Sequence, residues 1–86
     1  MNAPDTFIAT ITNEERTFEE DMELPSSMPV AELCQQLLMI LKEIHEDMFT
    51  NWVKCYLEYN NRIIKDDDTL LKAGAFSGSW LVVREG

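Results

Sequence analysis

Few residues in this chain carry side chains that could do chemistry, and their spacing assembles no working set. His45 is the only histidine. At about 100° per residue it falls on the flank of a long apolar arc, which predicts a packed or half-exposed structural histidine. Cys34 and Cys55 both lie in apolar patterns. With one histidine they make neither a zinc box nor a CxxC pair, and reduced core thiols are expected. Asp66-Asp67-Asp68 invites comparison with a cation site. Consecutive side chains diverge, however, and neither the glycine nor the closing glutamate of a calcium loop follows at the required spacing. Capping and solvating roles are expected of them. No nucleophile, base and orienting group can be combined. No catalytic residue, cofactor site or metal site is expected, and the chain does not read as an enzyme.

A terminal carboxylate can also do chemistry, if a flexible glycine tail carries it into an activating enzyme. Here Arg84-Glu85-Gly86 follows directly on a strand-like run, with one glycine. Glu85 sets a charge where a narrow channel needs glycine. A conjugated modifier or sulfur carrier is therefore the disfavoured alternative.

The elements that must position these residues belong to one domain spanning residues 1–86. At 45% hydrophobic and 27% charged, the composition is that of a globular chain near the small end of what folds alone. The formal net charge of −9 argues against nucleic acid, whose phosphates need clustered Lys and Arg. It argues equally against docking on an anionic membrane surface. MNAPDTF lacks the basic start and apolar core of a signal peptide, and no stretch is long enough for a membrane span. A cytoplasmic protein without membrane insertion is expected.

The stretch from Val30 to Met48 organises the chain. Val30, Leu33, Cys34, Leu37, Leu38, Ile40, Leu41, Ile44 and Met48 share one side of a helix, and only Met39 breaks the pattern. A helix to about Asp47 is expected, with Pro29 in its first turn and Ser27 or Met28 as the cap. Such a face needs other elements to cover it. Thr6–Thr12 and Thr17–Leu24 alternate as the two strands of a hairpin, with Glu20 a misfit on the apolar side. Trp52–Tyr59 alternates again, placing Val53, Cys55, Leu57 and Tyr59 inward. Asn60-Asn61 signals a turn, Ile63-Ile64 a minimal strand, and Thr69–Ala73 one helical turn stopped by Gly74. Trp80–Arg84 forms the last strand, with Leu81 and Val83 inward.

This order is the β-grasp arrangement: an α+β fold with a mixed four- to five-stranded sheet packed on one long α-helix. Leu57-Glu58-Tyr59-Asn60-Asn61-Arg62 resembles ubiquitin's strand–turn stretch LIFAGK. Ile64, Thr69-Leu70 and Leu81/Val83 fall where ubiquitin has its buried leucine, its Thr-Leu turn and its final Leu-x-Leu. Residues Leu70 to Leu81 also resemble the closing pattern L-x-D-x-G-I-x-x-G-D-x-L of small bacterial ubiquitin-like proteins of the YukD/EsaB type. Leu70, Gly74, Gly78 and Leu81 match, while Lys72, Ala75 and Ser79 depart. The resemblance covers about a third of the chain. It implies a small accessory or regulatory component of the type VII (Esx) secretion system. A related domain at the cytosolic end of a membrane subunit gives the alternative of a generic ubiquitin-like interaction domain in a larger protein.

If the strand order is that of the β-grasp fold, the outward residues converge. These are Ile8 and Thr10, then Trp80, Val82 and Arg84, then Trp52, Lys54, Tyr56 and Glu58. A contiguous aromatic patch that the helix does not cover suggests protein contact; the alternative is that Trp52 and Trp80 fold over the sheet edge or under a loop. Ile8, Trp52, Tyr56, Glu58, Trp80 and Val82 are the candidate interface residues. The expected partners are proteins, among them membrane or ATPase subunits of a secretion system, or a second copy of the chain through the same face. Ubiquitin uses this face too, but Glu58 occupies its key isoleucine position, so ubiquitin receptors are not expected to bind.

Overall fold

The computed structural model describes residues 5–86. Two strands, β1 (Thr6–Asn13) and β2 (Glu19–Pro25), form the opening hairpin. Helix α1 (Val30–Ile44) follows, then a short α2 (Glu46–Phe49), then β3 (Cys55–Tyr59), β4 (Arg62–Ile63) and β5 (Trp80–Glu85). The sheet order is β2-β1-β5-β3-β4. Here β1 and β5 run parallel at the centre, and the other pairs are antiparallel. The β-grasp architecture and the central adjacency of the first and last strands are both present, with five strands.

The core lies between the sheet's inner face and α1. Phe7, Ala9, Ile11, Leu57, Leu81 and Val83 point inward from the strands and are buried. Val30, Leu33, Cys34, Leu37, Leu38 and Leu41 meet them from the helix. Asn60 and Asn61 both have positive φ, at 52° and 64°. That is the geometry of a two-residue hairpin turn, which Asn tolerates better than most residues. Gly74 and Gly78 turn the chain at φ 91° and 98°.

Several expectations need correction. The helix does not run to Asp47. It stops at His45, where φ −130° and ψ 61° leave helical space, and restarts one residue later. The shift brings Phe49 into the core and leaves Ile44 and Met48 exposed. A bulky aromatic buries more surface than methionine, so the break favours Phe49 over the residue that the helical period selects. Ile40, on the margin of the stripe, is exposed as well.

Neither Ser27 nor Met28 caps the helix. Pro29 stands at the N-cap, with φ −55° and ψ 136°, and no side chain caps. The first backbone donors are satisfied from far along the chain: Val30 N–H donates to Asp68 O at 2.8 Å and Ala31 N–H to Asp66 O at 3.0 Å. The aspartate segment thus caps a helix, but through its carbonyls. The turn at Thr69–Ala73 closes with a bond from Ala73 N–H to Thr69 O at 3.0 Å and does not grow into a helix. Thr69 Oγ1 accepts from Lys72 N–H at 3.1 Å there.

The Glu20 misfit finds a partner. On the edge strand β2, Glu20 Oε1 lies 3.0 Å from His45 Nε2. The imidazole in turn packs on Phe18, at 4.9 Å between ring centroids. His45 is half-buried and structural, as its place on the helix flank predicts. Cys34 and Cys55 are buried and reduced. Cys55 Sγ donates to Cys34 O at 3.5 Å. The Cys55 thiol and burial together push the Cys34 thiol well above the ordinary thiol range.

Candidate functional site

The outer face of the sheet is assembled by strand register. In β1, Ile8 stands opposite Glu23 and Thr10 opposite Asp21. On the other flank, Thr10 pairs with Trp80 and Thr12 with Val82 of β5. Tyr56 of β3 stands opposite Arg84, and Glu58 opposite Val82. Paired residues share a face, about 4.8 Å apart. Ile8, Trp80, Val82, Tyr56 and Glu58 therefore come together on the side away from α1. Ile8 is 56% and Trp80 45% exposed, and Val82 and Tyr56 are half-buried.

Trp52 does not join them. The strand begins at Cys55, and Trp52 sits in the preceding turn, edge-on to Phe49 at 4.8 Å between centroids and packed against the core. Its N–H donates to Phe49 O at 3.1 Å, which holds it in the α2 turn. Val53, expected inward, is 90% exposed for the same reason. Strand alternation does not extend to residues outside the strand. Trp52 and Tyr56 nevertheless share the wall of a concavity of about 600 Å³ at this end of the sheet, with Arg84.

One face residue was not legible as such. Ile63 of β4 stands opposite Glu58 and is 58% exposed. Its signal was the two-residue Asn turn, which fixes the register that brings it beside Glu58.

The face carries a fixed charge pattern. Arg84 Nε lies 2.9 Å from Glu58 Oε2, a charge contact without an aligned hydrogen bond, while Arg84 Nη2 donates to Glu58 Oε1 at 3.3 Å. Arg84 Nη1 lies 3.3 Å from Glu14 Oε2. The hydrogen bond to Glu58 raises the Arg84 pKa further, so the guanidinium stays charged. The guanidinium of Arg16 lies 5.7 Å from the Trp80 ring centroid, within cation–π range. Along β2 the outward side chains are Glu19, Asp21 and Glu23, all exposed, with Asp21 Oδ1 accepting from Thr10 Oγ1 at 2.7 Å. An acidic row therefore borders an apolar ridge.

Among the described residues, no group of three or more His, Cys, Asp or Glu side chains is placed to hold a metal ion. No helix among them is long and apolar enough to cross a membrane.

No family model matches the chain. No curated protein matches it in sequence. Solved structures do match. A chain of the MycP5-free ESX-5 inner membrane complex superposes at TM-score 0.78 with 14% identity, over 96% of this chain and 21% of its own length. The chain thus spans about a fifth of that protein. The ubiquitin-like domain of the Mycobacterium tuberculosis type VII secretion system protein ECCD1 superposes at TM-score 0.74 with 25% identity, over 91% of this chain and 96% of that domain. Ubiquitin from Caldiarchaeum subterraneum superposes at TM-score 0.68 with 18% identity, over 94% of each chain. The chain is a ubiquitin-like β-grasp domain, similar to the ubiquitin-like domains associated with type VII secretion.

Proposed function

We propose that the chain is a non-catalytic recognition domain of a type VII secretion apparatus, an accessory or regulatory component working in the cytoplasm. It engages a protein subunit of that apparatus through the outer face of its sheet. The observation that carries this reading is the outward cluster of Ile8, Trp80, Val82, Tyr56 and Ile63, with the Arg84–Glu58 ion pair set among them, on a fold shared with the ECCD1 domain. A cluster of this kind bordered by charge suits the buried centre and polar rim of a protein interface.

A second reading shares the same surface. The 21% share of the ESX-5 inner membrane complex chain favours a domain that acts inside a larger membrane subunit. Both readings differ from conjugation. Glu85 pairs with Cys55, and Gly86 N–H donates to Lys54 O at 3.0 Å, so these residues are held in the sheet.

A photo-crosslinking amino acid placed at Trp80 in the native host tests the reading. The expected product is a crosslink to a membrane or ATPase subunit of the secretion apparatus, lost when Ile8→Glu is added. Crosslinks only to unrelated proteins, or a product indifferent to Ile8→Glu, overturn it. A crosslink to a second copy of the chain would replace the subunit with a homodimer.

A further inference from the structure

On the far side of the domain, between α1 and the chain entering β3, the sheet has an unpaired strand edge. Lys54 O accepts from Gly86 N–H on the β5 side, whereas Leu57 O accepts from Ile64 N–H at 2.9 Å on the opposite side. Backbone groups alternate along an antiparallel strand. The N–H and C=O of Cys55 therefore point the same way as those of Leu57, away from β5. The ladder with β4 is confined to Glu58 and Tyr59, so no strand reaches Cys55 on that side.

Beside that open edge is a groove of about 420 Å³. Cys34, Leu38 and Cys55 form its apolar floor, and Met39 and Val53 its rim. Those rim residues are among the most exposed apolar side chains of the domain, at 68% and 90%. They are also the helix residue that breaks the amphipathic pattern and the residue expected inward from β3. Both anomalies fall on one groove.

The two ends of the groove differ in charge. Asp66 lies at the end near Ala31, since its carbonyl accepts from Ala31 N–H. Lys42 marks the other end of the helix wall, and Lys54 lies beside Cys55. From Ala31 to Lys42 the helix rises about 16 Å, the length of about five extended residues.

We propose that this groove binds a short extended peptide segment of a partner protein, aliphatic at alternate positions and acidic at one end. The peptide adds beside Cys55 in the line of β4 and exchanges backbone hydrogen bonds with it. Alternate aliphatic side chains fill the space over Cys34 and Leu38. The acidic end meets Lys42, and Asp66 rejects it at the other end.

The test titrates the reduced full chain with capped six-residue peptides of alternating valine and serine, carrying two glutamates at one end or the other. Chemical-shift changes and iodoacetamide labelling of Cys34 and Cys55 are followed. At least one glutamate peptide is expected to saturate with a Kd of about 100 μM or tighter. Its shifts centre on Cys34, Met39, Val53 and Cys55, and thiol labelling slows. Replacing the glutamates by lysines, or the central residue by proline, weakens binding roughly tenfold. So does Val53→Glu, with the melting temperature unchanged, whereas Trp80→Ala on the outer sheet face leaves binding intact. No saturable binding by either glutamate peptide at about 1 mM overturns the proposal. Equal binding of the lysine or proline peptide overturns it as well.

Discussion

The placement of Trp52 makes a prediction opposite to the one that strand alternation makes. Alternation from Tyr56 puts Trp52 on the outer face, where truncation would weaken association and leave stability alone. In the folded domain it lies edge-on to Phe49, which itself stands edge-on to Phe18 at 5.5 Å between centroids. Full burial of a Trp makes truncation to Ala cost about 3–5 kcal/mol. Trp52 is half-buried, and its aromatic contact adds about 0.5–1.5 kcal/mol. Trp52→Ala is therefore expected to cost about 2–3 kcal/mol. For a domain of this size that lowers the melting temperature by roughly 10–20 °C. Urea unfolding followed by circular dichroism gives the free energy, with Trp80→Ala as the matched control. That control, 45% exposed and within cation–π range of Arg16, is expected to cost less, about 1 kcal/mol, and its main effect falls on association. A cost below about 0.5 kcal/mol for Trp52→Ala, together with lost association, would refute this assignment of the two indoles.

Leu37→Ala removes a side chain that is 1% exposed at the centre of the helix–sheet contact, and is expected to cost about 2–5 kcal/mol in equilibrium unfolding. A cost near zero means that the helix face is oriented otherwise. Stability should also fall as pH rises above the unfolded thiol value of about 8.5. The folded state holds the Cys34 proton, because its pKa is raised, while the unfolded chain releases it, so the contribution is full below that pH and declines above it. The slope is at most about 1.4 kcal/mol per pH unit. Unfolding curves between pH 7 and 10 should be shallower in their pH dependence for Cys34→Ala; identical slopes would mean that the thiol titrates normally.

How much of this was legible in the sequence follows from the range of each interaction. The strands, the long helix and the Asn60-Asn61 turn are specified by residues a few positions apart, and each forms, although the helix ends at Ile44 and the third strand begins only at Cys55. The central pairing of β1 with β5 followed from the β-grasp resemblance, and it is present. The helix cap was not legible. Its acceptors are the carbonyls of Asp66 and Asp68, which any residue type could supply from that position. The break at His45 was not legible either, because it is settled by competition between Phe49 and Met48 for one place in the core. The misplaced site residue Trp52 and the misplaced inward residue Val53 both stem from that junction. Once the helix stops early, the chain re-enters the sheet at Cys55, and Trp52 and Val53 are left outside the ladder.

The same junction separates the two surfaces. Phe49 and Trp52 close the core at the end where the helix breaks, so the outer face keeps Ile8, Trp80, Val82, Tyr56 and Ile63 without needing Trp52. Val53, displaced from the strand, instead borders the groove beside the open edge of β3. A sheet covered on one side by a helix has one outer face to spare. A strand whose partner β4 is only two residues long has a spare edge as well. Residues that bury against α1 hold the domain together, and variants there act on both surfaces through unfolding. Variants at Trp80 and at Val53 act on one surface each. Additive, non-interacting effects of the Trp80→Ala and Val53→Glu pair on two separate binding measurements are what independent sites require. A coupling between them of more than about 1 kcal/mol would mean that one partner spans both the face and the groove.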